Sequence, residues 1–212
     1  MGPAPTPLDI EYPFTGRWLV QNSPADQVPS HGTAAFASSY AIDFVPVDST
    51  GGTAPLTFSS LVRPEPPDRF PGFGRPLLAP AAGTIIAAHD EEPDHAAHRG
   101  LPSITYMLTQ QRRARAGWLE LAGNHVFIEH KGVIVALCHL RSGSVQVRPG
   151  EKVRVGDPVG RCGNSGNSTE PHVHVQVLDS PDVAYARAVP LTFRGVLPRN
   201  GEIVDVDHHR HD

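Results

Sequence analysis

Two histidines one residue apart, His172 and His174, stand in the stretch Pro171-His172-Val173-His174-Val175-Gln176-Val177. In a β-strand alternate side chains share a face, so both imidazoles point one way and Val173, Val175 and Val177 point the other. Two imidazoles on one face can bind a divalent metal together, or one can bind it while the other moves a proton. They also fit ordinary hydrogen-bonded strand histidines. The run before them, Gly163-Asn164-Ser165-Gly166-Asn167-Ser168-Thr169, is loop chemistry.

A hydrolytic zinc needs three protein ligands and an open position for water. Asp43 offers a carboxylate within Tyr40-Ala41-Ile42-Asp43-Phe44-Val45, on the face opposite Ile42 and Phe44. A charge in an apolar strand needs a partner, although a strand-end aspartate would also read this way. His139 closes the run Val133–Leu140 and shares a face with Val135 and Leu137, the position of a core histidine. Cys138 is expected to face away from it. His31 lies in the loop before the Asp43 strand. His89, His95 and His98 stand among carboxylates and read as a solvated loop rather than a second metal site.

These residues need a scaffold of short elements. The 212 residues include 22 Pro and 20 Gly, and helix-friendly runs are scarce. Strands are expected at Arg17–Gln21, Ser38–Val47, Thr84–Ala88, Asn124–His130, Val133–Leu140 and Ser144–Arg148. Lys131-Gly132 is a hairpin signal. Residues 48–75 read as loop, and 89–122 as a polar, partly helix-compatible insertion between strands. Residues 183–212 read as peripheral, ending in the histidine-rich tail 208–212. The fold class is therefore all-β: an antiparallel two-sheet, sandwich- or barrel-like architecture with an open groove, long loops and a partly helical insertion.

Net charge is −4, which offers no nucleic-acid surface. No run approaches the ~20 apolar residues of a membrane span, and the N-terminus reads as no secretory signal. Cys138 and Cys162 fit either free thiols or one bridge.

Taken in order, the motifs resemble the lysostaphin/LytM-type zinc endopeptidases, which cut peptide cross-links in bacterial peptidoglycan. The likeness runs over residues 30–178, flanked by extensions at 1–29 and 179–212. It is densest in three parts: the hairpin ending in His139-Leu140, the segment Val147–Gly160 with its Gly150, Gly156-Asp157 and Gly160, and Gly163–His174. The resemblance implies a zinc ion (Zn2+) held by Asp43 and His174, His172 as general base, and His139 as a stabiliser of the tetrahedral intermediate. It also implies a peptide substrate, a peptidoglycan stem or cross-bridge, and a place in the cell envelope or outside the cell. The family's first ligand lies four residues before the aspartate, where this chain has Ser39. His31, twelve residues before Asp43, is the candidate for that ligand. Neutral imidazoles are required, so activity is expected to fall below about pH 6. A ligand-deficient binding module and a metal-dependent hydrolase of a non-wall peptide are the competing readings. A biotinyl-type carrier domain is set aside, because Lys131 and Lys152 are the only lysines and neither has the expected context.

Overall fold

The computed structural model describes residues 6–54, 63–99 and 117–207. The tail histidines and the centre of the 89–122 insertion lie outside the described residues. The fold is all-β and mostly antiparallel. Its main sheet has eight strands in the order β12-β2-β3-β10-β7-β6-β5-β8. These are β2 (Gly16–Gln21), β3 (Ile42–Pro46), β5 (Gly83–His89), β6 (Asn124–His130), β7 (Val133–Leu140), β8 (Lys152–Val153), β10 (Val173–Leu178) and β12 (Ile203–Val206). Among the described residues, two small sheets accompany the main sheet. β1 (Leu8–Ile10) pairs in parallel with β11 (Leu191–Phe193), and β4 (Pro76–Leu78) pairs antiparallel with β9 (Pro158–Arg161). One short helix, α1 (Trp118–Ala122), precedes β6.

The sheet's two faces differ as the alternation requires. Val173, Val175 and Val177 join Ile42, Phe44, Val135 and Leu137 in the larger core cluster, all essentially buried. That cluster takes in Leu77 and Val159 from one small sheet and Leu191 and Phe193 from the other. Residues beyond 178 are therefore not wholly peripheral: β11 packs into the core, and β12 pairs with β2 in the main sheet. An aromatic cluster fastens both flanks, with Phe14 stacked on Trp18 at 4.2 Å and Tyr12 on Phe193 at 4.8 Å. The opposite face carries the polar row. Asp43 pairs with His174, His174 with Cys138, and Cys138 with His125, across four adjacent strands.

Local chemistry explains where strands form and where they do not. Lys131 and Gly132 both have positive φ, as a two-residue hairpin turn requires. Ser38–Tyr40, expected as strand, belongs to a 3-10 segment (Ala35–Tyr40). There Ser38 Oγ donates locally to the carbonyls of Thr33 and Ala35, which competes with a ladder. Ser144–Arg148 is also not strand. The Asp90 carboxylate accepts the N–H groups of Ser144 and Val145 instead.

The end of β7 departs from alternation in a way that matters. Asn124 pairs with Leu140 and His125 with Cys138, so His139 is an extra residue bulged out of register. Its φ is 63°, in the left-handed region. The bulge turns the imidazole away from the Val135 and Leu137 face and onto the polar face, where Cys138 also lies. The expectations of a core-facing His139 and of Cys138 facing away from it are both corrected. A non-glycine residue in this conformation is strained by about 1–2 kcal/mol. His139→Gly is accordingly expected to unfold with a free energy about 1 kcal/mol higher than His139→Ala. Urea titration of the two variants measures this, and equal stability would show that the backbone carries no such strain. Cys138 and Cys162 are both buried free thiols.

Candidate metal centre

His31, Asp43 and His174 come together on the polar face, with one possible ligand atom from each lying within 4.8 Å of the others. They form the one cluster of this kind among the described residues. The two imidazoles address different carboxylate oxygens: His31 Nε2 is 3.0 Å from Asp43 Oδ2, and His174 Nδ1 is 2.9 Å from Oδ1. Asp43 and His174 are delivered by direct cross-strand pairing of β3 with β10. His31 arrives from the loop. Ser30 N–H bonds Ser39 O, so the chain folds back and His31 reaches the carboxylate from twelve residues away.

The hydrogen bonds fix where the protons are. Gln176 Nε2 donates to Phe36 O, which leaves its Oε1 as an acceptor 2.8 Å from His174 Nε2. His174 therefore carries its proton on Nε2 and turns the Nδ1 lone pair to Asp43. Ser30 Oγ donates to Ser38 O and so accepts from His31 Nδ1, 3.0 Å away, which leaves the Nε2 lone pair on the Asp43 side. In their neutral forms two imidazole lone pairs converge on a carboxylate. Among the described residues, only Asn22 Nδ2 then donates to that carboxylate, at 2.7 Å. Acceptors gathered without protons are a cation site, so the donor set fits a divalent metal. Gln176→Leu frees the His174 tautomer and is expected to weaken zinc binding by about 10–100-fold. Competition with a chromophoric chelator reads this directly, and an unchanged affinity would mean that Gln176 does not orient the ligand.

Two further imidazoles face the same space. His172 Nδ1 donates to Glu170 O at 2.8 Å and also touches Ser168 Oγ, which leaves Nε2 as its lone-pair atom, 3.8 Å from Asp43 Oδ1. His139 Nδ1 donates to Ser165 O at 2.9 Å. The His139 and His172 rings lie 4.5 Å apart. The Ser165 hydroxyl in turn bonds Leu140 O and Asn124 N–H. Gly166 packs so closely on Gly123 that a Cβ at either position would meet backbone. Small residues in the Gly163–Thr169 loop are thus needed to seat it against α1.

All five residues singled out from the sequence line one cavity of about 260 Å³. Asn22, Ser30, Ser165, Ser168 and Gln176, which orient them, were not singled out. Their types are common, and several of their bonds, such as Asn22 to Asp43, Ser165 to Asn124 and Gln176 to Phe36, join residues far apart in sequence. His89, His95 and His98 are no second centre among the described residues. His95 Nε2 bonds Gly166 O, and neighbouring Asp94 accepts the Asn164 N–H, so this segment braces the loop rather than standing free in solvent.

Burial would raise the Asp43 pKa, but the neighbouring His31 and His172, and the close contacts of His174 and His31 with the carboxylate, hold it well below the ordinary carboxylate range. Burial would lower His31, yet the Asp43 carboxylate raises it above its usual 6.5. Burial, aided by His172 and His174, keeps His139 well below that value, so it is neutral at pH 7. In the metal-free chain the raised His31 stabilises the fold below its ordinary pKa, and that contribution fades as pH rises through the elevated one. The depressed Asp43 stabilises above its ordinary pKa, and its contribution is lost on strong acidification. Metal binding runs against the His31 proton. Zinc affinity is expected to fall on acidification from near neutrality, by about tenfold per pH unit for one displaced proton. Calorimetric titrations from about pH 8 to about pH 5.5 measure the slope, and a flat profile would contradict competition at His31.

Residues 112–185 match the model of peptidase family M23. A stretch of 57 residues is 40% identical to an uncharacterized metalloprotease of Buchnera aphidicola subsp. Baizongia pistaciae, covering 26% of this chain and 15% of that protein. Among solved structures, the catalytic domain of lysostaphin from Staphylococcus simulans is 18% identical with a TM-score of 0.40, over 70% of this chain and 74% of that one. The M23 metalloprotease pseudoalterin, from the deep sea, is 14% identical with a TM-score of 0.47, over 92% and 84%. His31 and Asp43 lie upstream of the matched segment. That segment, which contains His139, His172 and His174 and spans less than half of the chain, is similar to peptidase family M23.

Proposed function

We propose that this chain is a zinc endopeptidase that cleaves peptide bonds in peptidoglycan cross-links. The observation that carries the reading is the convergence of the His31, Asp43 and His174 acceptors beside two imidazoles, His139 and His172, in one cavity. Two nitrogens and one carboxylate form a common ligand set for catalytic zinc. Zinc held there supplies a Lewis acid that activates water at neutral pH and polarises the scissile carbonyl.

The remaining work falls to protein groups. His172 Nε2 accepts the proton of the attacking water, while Glu170 O holds Nδ1–H and keeps that tautomer. The imidazolium so formed can return the proton to the leaving amine. His139 is anchored through Nδ1, so its Nε2 becomes a donor only after protonation. Negative charge developing on the substrate oxygen favours that protonation, which gives His139 its stabilising role in the transition state. Asn22 keeps Asp43 turned to the metal side. Phe36, Trp118 and Leu121 supply an apolar wall for the peptide.

The family supplies the substrate class, since lysostaphin/LytM-type enzymes act on wall cross-links. Digestion of purified peptidoglycan, followed by mass spectrometry, tests it. New amino termini within stems or bridges are expected, without new reducing sugar ends. A chain that releases no wall peptide yet cleaves unrelated peptides would move the substrate away from the wall.

A further inference from the structure

We propose that Glu170 is a specificity residue whose carboxylate receives a cationic amine of the peptide substrate, next to the scissile bond. The inference rests on the peptidase reading of the neighbouring centre. Glu170 O accepts His172 Nδ1–H at 2.8 Å, so its main chain is locked to the imidazole that handles the proton. Glu170 lines the same cavity as the three candidate ligands. Its Oε2 is buried and has no hydrogen-bond partner. A buried carboxylate oxygen without a donor is unfavourable until something supplies one.

The surroundings specify what can supply it. No lysine or arginine among the described residues lines the cavity. The other carboxylate there, Asp43, already faces His31, His174 and Asn22. A positively charged group entering the cavity therefore finds the Glu170 carboxylate without a lysine or arginine partner among the described residues. A metal ion is a poor occupant, because Glu170 belongs to no three-ligand cluster. An ammonium suits a carboxylate better than a neutral amide does, since charge-assisted bonds are roughly twice as strong. The occupant is thus an amine of the peptide, either a free amino terminus or a diamino-acid side chain.

The test is equilibrium binding to the zinc-loaded chain, measured by calorimetry with paired short peptides. One pair exchanges lysine for norleucine, and the other exchanges a free for an acetylated amino terminus. In one of the two pairs the amine-bearing peptide is expected to bind about tenfold or more tightly. Which pair shows the preference identifies the amine. In Glu170→Gln, which keeps the shape and the backbone bond to His172, the ratio should fall close to one. Raising the salt concentration should shrink the preference in the unmodified chain. Equal binding within both pairs, no binding of any peptide, or a preference that survives Glu170→Gln overturns the proposal. Chromatography of the same mixtures reports cleavage separately, so loss of the peptidase reading and loss of this inference are distinguishable.

Discussion

His172→Ala is expected to lower kcat by about 10²–10⁴-fold while zinc stays bound. The expectation follows from where the imidazole's two nitrogens go. Nδ1 is committed to Glu170 O, and Nε2 sits 3.8 Å from Asp43 Oδ1, beside the candidate ligands but outside the three-residue cluster. Removing the ring takes away a proton acceptor without taking away a candidate ligand. Asp43 also loses one of the neighbouring imidazoles that hold its pKa down. The effect on metal affinity should therefore be small beside the effect on turnover. Peptide cleavage measured together with zinc content separates the two. If the variant bound zinc normally and kept wild-type turnover, the proton would travel by another route, and His139 would be the remaining imidazole able to carry it.

His31→Ala should do the opposite, removing zinc and activity together. Only two candidate ligands would remain, and Asn22 would still donate to Asp43 Oδ2. The loss of affinity should exceed the 10–100-fold typical of outer-shell substitutions, because the residue touches the ion itself. The unusual origin of this residue sharpens the prediction. His31 reaches the centre only because Ser30 is tied to Ser39 by a backbone bond, and through its hydroxyl to Ser38 O. The loop conformation and the metal are thus coupled. Zinc should protect the 30–40 segment from amide exchange in the wild type and should not do so in His31→Ala. Zinc retained at full affinity in the variant would show that another group completes the centre.

The strands that carry the centre were legible because they alternate cleanly. Asn124–His130 and Val133–Leu140 begin and end where periodicity and the Lys131-Gly132 turn place them. Asp43 and His174 share a face, as period two requires, and turn out to be directly paired. Three features were not legible in the same way. The bulge at His139 leaves no mark on the apolar pattern, so alternation assigns that side chain to the wrong face. The 3-10 segment at Ala35–Tyr40 includes Phe36 and Ala37 at positive φ, a conformation neither residue type announces. Asn22, Ser165 and Gln176 act through contacts up to 140 residues apart in sequence, as between Gln176 and Phe36. Local pattern carries no information about such pairs. His31 lay between these cases: its chemistry was suitable, while its reach depended on a loop conformation that spacing alone does not give.

The most direct measurement is a zinc titration of chelator-stripped protein lacking residues 208–212, whose histidines could bind metal on their own, with hydrolysis of a cross-link peptide followed at each addition. Activity is expected to be absent at the start and to rise linearly until about one zinc per chain is bound. Hydrolysis that persists without metal, or a chain that binds one zinc tightly and cleaves no peptide, would contradict a zinc endopeptidase built on His31, Asp43 and His174.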